Sequence, residues 1–127
     1  MEKIVFVFLG GGLGALARYG VGIASLRAFG TGWPYGTFAV NLIGGFLMGV
    51  LVTSLALRGA DDQERWRVLI GVGVLGGFTT FSAFSLEVAR MIETRALAAA
   101  ALYSLVSVLL SVAALFAGMM LMRRLLA

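Results

Sequence analysis

The sequence predicts an all-α membrane protein with four spanning helices per subunit, the third broken near Gly76 to Thr80. Three observations predict it. Apolar residues make up 61% of the 127 and charged residues only 13%, with a mean hydropathy of +1.02, a balance outside that of soluble domains. The apolar residues fall into four runs, each near the roughly 20 residues a helix needs to cross the hydrocarbon core. Within the third run stands "GGFTTFSAFS", Gly76 to Ser85, where paired glycines and paired threonines weaken a helix. Glycine costs about 1 kcal/mol in a helix interior, and threonine hydroxyls compete for backbone carbonyls.

The spans are read at Ile4 to Leu26, Thr37 to Leu57, Val68 to Ile92 and Leu97 to Met122, within about 2 to 4 residues at each end. They form one four-helix transmembrane domain over residues 1–127 and leave no length for a soluble one. The first run is too long for a signal-peptide core and lacks a small-residue cleavage pattern, so it is kept as a span. "FGTGWPYG", Phe29 to Gly36, holds the single proline and reads as a turn with Trp33 and Tyr35 at the interface. "RGADDQERWR", Arg58 to Arg67, reads as a solvated connection.

The net charge is +4, but the cations sit at helix ends rather than in a nucleic-acid patch. Lys3, Arg58, Arg65, Arg67, Arg123 and Arg124 fall on one side; Arg27, Arg90 and Arg95 fall on the other, with Arg18 inside the first span. The bias places both termini in the cytoplasm. Cysteine and histidine are absent, which removes disulfides, thiol chemistry and imidazole catalysis.

The 18 glycines lie mostly inside the apolar runs, where small residues let helix backbones approach. Gly10 and Gly14 recur at four residues with Arg18 next on that face; Asn41, Gly45 and Gly49 share this spacing, as do Gly73 and Gly77. Three such faces exceed what one small bundle uses internally, so homo-oligomerisation is expected, with packing inside one subunit as the alternative.

Polar groups at membrane depth are the functional candidates. Tyr103, Ser107 and Ser111 follow at one-turn intervals, flanked by Ser104, and form a hydroxyl stripe that reads as one wall of a polar pathway. Asn41 offers donors and an acceptor in the second span, serving either as interhelical glue or as pathway lining, and Thr37 extends its face. Beyond the break, Phe81 and Phe84 share a face with Ser82 and Ser85 on its edge. Their rings could turn positive edges toward an anion, although spacing alone favours packing or lipid contact. No lysine or arginine is expected near these groups. Neutral donors suit conduction, because they replace hydration without trapping an ion, but hydroxyls serve cations as well as anions.

Four motifs together carry a family resemblance: "GGLGALARY" (Gly11 to Tyr19), "GTFAVNLIGG" (Gly36 to Gly45), "GGFTTFSAFS", and the Tyr103, Ser107, Ser111 spacing. Over nearly its full length the chain resembles the Fluc (CrcB) fluoride channels. The resemblance implies an antiparallel, dual-topology homodimer in a bacterial inner membrane, with two fluoride pores at the subunit interface. By that likeness Asn41, Phe81, Phe84, Tyr103, Ser107, Ser111, Thr37 and Ser82 belong to the fluoride pathway, and Arg18 and Glu87 to its vestibules. The carbonyls of Gly76 and Thr79 from both subunits would hold a structural sodium ion. Ala83 departs from the family, which often has a hydroxyl residue there.

Two other classes compete with a passive channel. A proton-coupled exporter needs a titratable group at a mid-membrane site, and only Glu87 and Arg18 are candidates. Glu87 otherwise reads as a solvated acid at a helix end. A non-transporting assembly subunit would use the glycine faces but leaves the hydroxyl stripe unexplained. An enzyme is not expected, for want of a nucleophile and base pair.

Overall fold

The computed structural model describes residues 1–59 and 61–127; Ala60, within the expected solvated connection, lies outside them. Four helical spans are long and apolar enough to cross a membrane. The first is α1 (Glu2–Phe29) and the second α2 (Tyr35–Arg58). The third is composite: α3 (Gln63–Trp66), a π-helical stretch (Arg67–Leu75), α4 (Gly76–Phe78) and α5 (Phe81–Glu93). The fourth is α6 (Leu97–Leu126).

The helix ends follow local chemistry. Gly30, at φ 76°, closes α1 by donating its amide to Leu26 O at 2.9 Å. Gly59, in the left-handed region, does the same for α2 at Leu55 O. The turn before α6 has Arg95 at φ 62°, beside Thr94, whose hydroxyl donates back to Arg90 O at 2.9 Å. The third span starts earlier than Val68 because its first turn is polar and invisible to hydropathy. Arg65 pairs with Glu2 at 2.5 Å and Glu64 with Lys3 at 3.7 Å. The loop read as a solvated connection is thus partly helical and tied to the start of α1.

Two helix pairs build the bundle. α2 runs along α6, and α1 runs along the π-helical stretch and α4. The glycines decide how closely. A Cβ on Gly10 would lie 2.6 Å from Leu69 O and 2.9 Å from Val74 N. One on Gly45 would lie 2.8 Å from Ser111 O, and Gly49 and Gly118 abut Leu115 O and Phe46 O in the same way. Gly14 faces the Val74 carbonyl, and Gly73 and Gly77 face α1 in return.

These contacts correct one expectation. The glycine faces of α1, α2 and the third span are used inside the subunit, because they meet as two complementary pairs, and their spacing therefore carries no argument for oligomerisation. A stability prediction follows directly. Gly10→Ala should cost about 1–3 kcal/mol through overpacking against rigid backbone, read as a lower melting temperature in detergent. At Gly12 an added Cβ would meet nothing within 4 Å, so alanine there should be tolerated within about 0.5 kcal/mol. Equal melting of the two variants would refute the packing account.

The break in the third span lies where the sequence places it. Thr79 (φ −84°, ψ 158°) and Thr80 (φ −151°, ψ 124°) are extended between α4 and α5. Thr79 still returns its amide to Leu75 O at 3.0 Å and its hydroxyl to the same oxygen at 2.9 Å. Thr80 instead caps α5, its hydroxyl accepting from Ala83 N at 3.1 Å. The π-helical stretch before the break has no counterpart in the sequence expectations.

Candidate functional site

Breaking a helix at membrane depth leaves amides and carbonyls that lipid cannot satisfy. Two side chains from other helices take up part of that demand. Asn41 of α2 clasps the extended segment at two points: its Oδ1 accepts from Thr80 N at 2.8 Å, and its Nδ2 donates to Thr80 O at 3.0 Å. Arg18 of α1 donates Nε to Gly77 O at 3.1 Å. This overturns the expectation that no cation approaches the central groups. The Gly10 and Gly14 face lies on the third span, so the next step along it, Arg18, arrives at the break.

The other carbonyls are unspent. Among the described residues, no amide or side chain donates to the Gly76, Phe78 or Thr79 carbonyl. Gly76 is on the exposed surface of the subunit. Among the described residues there is also no group of three His, Cys, Asp or Glu side chains, so the donors the break offers to a cation are neutral backbone oxygens.

Around the break lies an open groove of about 400 Å³. Asn41, Gly76, Thr79, Phe81, Phe84, Ser107 and Ser111 all line it, so residues chosen from three separate spans converge on one surface. The sequence missed Thr80, Met48 and the apolar wall of α6 at Val108 and Val112, which also line it. The Phe81 and Phe84 ring centroids are 5.7 Å apart at an interplanar angle of 40°. Phe81 is 78% exposed on the single subunit. Ser107 is its opposite: 5% exposed, with a hydroxyl that has no hydrogen-bond partner.

Tyr103 does not line this groove. It is fully buried, with its ring 5.1 Å from Phe84 and 5.1 Å from Trp33, edge-on to the latter. Its hydroxyl donates to Glu87 Oε2 at 3.0 Å, and Thr37 donates to the other oxygen of the same carboxylate. Glu87 is therefore not a solvated helix-end acid. It stands in the middle of α5, half-buried and bonded to two hydroxyls. Thr37 and Glu87 line a second cavity, of about 490 Å³, under the Gly30–Gly36 turn, and Arg18 and Thr37 line a third. Ser82 is exposed, 3.2 Å from the Thr80 hydroxyl and outside the groove. Trp33, expected only as an interface anchor, also packs here; its contact with Tyr103 has no local sequence signal.

The profile described as "CrcB-like protein, Camphor Resistance (CrcB)" matches residues 5–119. A protein of Caulobacter sp. (strain K31) named fluoride-specific ion channel FluC is 64% identical over 124 residues, covering 98% of this chain and 97% of the relative. Similar proteins with that name occur in Phenylobacterium zucineum (62% identical over 124 residues, 98% of each chain) and Agrobacterium fabrum (46% over 125 residues, 98% of this chain and 99% of the relative). These relatives are named as channels and not as enzymes. With four spans of membrane-crossing length and a profile match over most of its length, the chain is an integral membrane protein and belongs to the CrcB family.

Proposed function

We propose that the chain is a passive, fluoride-selective channel of the bacterial inner membrane that lets fluoride leave the cytoplasm. The observation that carries this is the buried Ser107 hydroxyl with no partner in a groove otherwise lined largely by carbon. Leaving such a group unpaired costs about 1–3 kcal/mol, and the cost is removed when an anion accepts a hydrogen bond from it. Ser111 lies one turn further on the same wall, and Asn41 keeps one amide N–H beyond the bond it gives to Thr80.

Fluoride is small and strongly hydrated, so donors must replace its water in sequence without holding it. Neutral hydroxyl, amide and ring-edge donors do so weakly enough for release. The residues lining the groove include no ammonium, guanidinium or carboxylate, and the nearby Arg18 charge is directed to a backbone carbonyl. Glu87 is kept off the groove by its bonds to Thr37 and Tyr103, which leaves these three as the polar wall of a vestibule above the pathway.

The groove is open along the subunit surface, and a second, antiparallel copy would close it. Two pores at the interface of a dual-topology homodimer then follow from the two-fold relation. The Gly76 and Thr79 carbonyls of each copy would meet near that axis and hold a structural sodium ion, a hard cation suited to neutral oxygens. Bound there, the ion supplies positive charge that offsets the unspent carbonyls of both breaks. The residues present fit it: the oxygens have no other donor, and glycine at position 76 keeps the approach open.

The test is efflux from liposomes containing the purified protein, followed with fluoride and chloride electrodes and no proton gradient. Fluoride loss should be fast and chloride retained. Fluoride loss that begins only when a proton gradient is imposed would replace the channel with a coupled exporter.

A further inference from the structure

We propose that the chain carries a binding site for an anionic phospholipid where α1 meets the start of the third span. An open groove of about 570 Å³ runs between them, within the roughly 300–1,000 Å³ range of ligand clefts. One end is charged and the rest is apolar. Lys3, Glu64 and Arg67 form the charged end, and Val7, Phe8 and Val72 line the apolar part. Val7 is one helical turn beyond Lys3 on the same face of α1. A headgroup and an acyl chain have this same polarity along their length.

Charge selects the class of lipid. Glu64 is shared by two cations: Arg67 donates to both of its oxygens, at 2.7 and 3.1 Å, and Lys3 lies 3.7 Å from one of them. One carboxylate cannot neutralise both, so the groove's own lining retains one positive charge. The neighbouring Arg65 is already matched by Glu2. Lys3 and Arg67 are 60% and 53% exposed at their side chains, free to reach a phosphate at the level of the lipid headgroups. Phe8 is 79% exposed and Val72 48% on the subunit, an apolar surface suited to an acyl chain. The inference is independent of what the channel conducts.

The experiment reconstitutes the protein in vesicles of phosphatidylcholine and phosphatidylglycerol in equal amounts, releases it into mild detergent, and counts retained lipids by native mass spectrometry. Phosphatidylglycerol should be retained about fivefold over phosphatidylcholine, the factor that one uncompensated cation supplies near an anionic headgroup. Lys3→Gln should abolish that preference. Glu64→Gln should have the opposite sign and raise it by about another fivefold, since it frees both cations; a merely structural ion pair would not do this. Val7→Trp keeps every charge but fills the apolar part, and should lower retention of both lipids. Equal retention of the two lipids by the wild-type protein would overturn the proposal, as would an unchanged preference in Lys3→Gln and Glu64→Gln. A lower oligomer mass in Val7→Trp with lipid retention intact would also overturn it, by assigning the groove to a second copy of the chain.

Discussion

Asn41→Asp is expected to abolish fluoride efflux while leaving a folded protein. Asn41 lines the groove and clasps Thr80 through both ends of its amide. Aspartate keeps the acceptor for Thr80 N but loses both N–H donors, one of which serves Thr80 O. It also fixes a negative charge on the wall. At about 4 Å and an effective dielectric near 20, that charge repels a passing anion by about 4 kcal/mol, which corresponds to about a 1,000-fold lower rate. Efflux measured by fluoride electrode checks the rate, and gel filtration with circular dichroism checks the fold. A cation pathway would be spared by the same change. Anion flux retained within about tenfold of wild type would remove Asn41 from the pathway and leave it as support for the break alone.

The elements legible in the sequence are those written in composition and spacing. Four apolar runs give four spans. The Gly76–Gly77, Thr79–Thr80 sequence gives the break, because it combines poor helix formers with a cap residue ready to start α5. The stripe of Ser107 and Ser111 gives one wall of the groove, since both lie on one face of an uninterrupted helix. What the sequence hides is which group answers which. Nothing in the spacing of Gly10, Gly14, Gly45 and Gly49 says that their partners are Val74, Ser111 and Leu115 of the same chain, so close packing within the subunit is indistinguishable from an oligomer face. Arg18 and Gly77 are 59 positions apart, and Glu87 with Thr37 50 apart. A solvated acid and a half-buried one bonded to two hydroxyls read alike until those helices are placed together.

The chemistry of the break also accounts for the asparagine and the arginine found there. Both side chains project from α-helical neighbours that the glycines bring close, and each reaches backbone groups that the interrupted ladder frees. Asn41 holds an amide and a carbonyl of Thr80, and Arg18 holds the carbonyl of Gly77. The Gly76 and Thr79 carbonyls are left unspent, which is why the cation proposed for them is tied to a second subunit and not to the first.

Phe81→Ile and Phe84→Ile are each expected to lower fluoride efflux by about two- to tenfold, and their effects on stability should differ. Isoleucine preserves an apolar side chain of similar reach but removes the ring, and with it the positive edge that can face an anion. On the scale of edge-to-face aromatic contacts, about 0.5–1.5 kcal/mol each, the loss corresponds to about a two- to tenfold lower rate. Phe84 also packs against Tyr103 at 5.1 Å, so its loss should destabilise the subunit by about 0.5–1.5 kcal/mol. Phe81, 78% exposed on the subunit, packs internally only on the Phe84 ring at 5.7 Å, so its loss should cost less. Its replacement is therefore the sharper measurement: a smaller drop in melting temperature than in Phe84→Ile, with flux lowered about two- to tenfold, assigns the ring to the ion. Unchanged flux in Phe81→Ile would make that ring a packing surface for lipid or for the second subunit, and the hydroxyl and amide donors would then have to account for conduction by themselves.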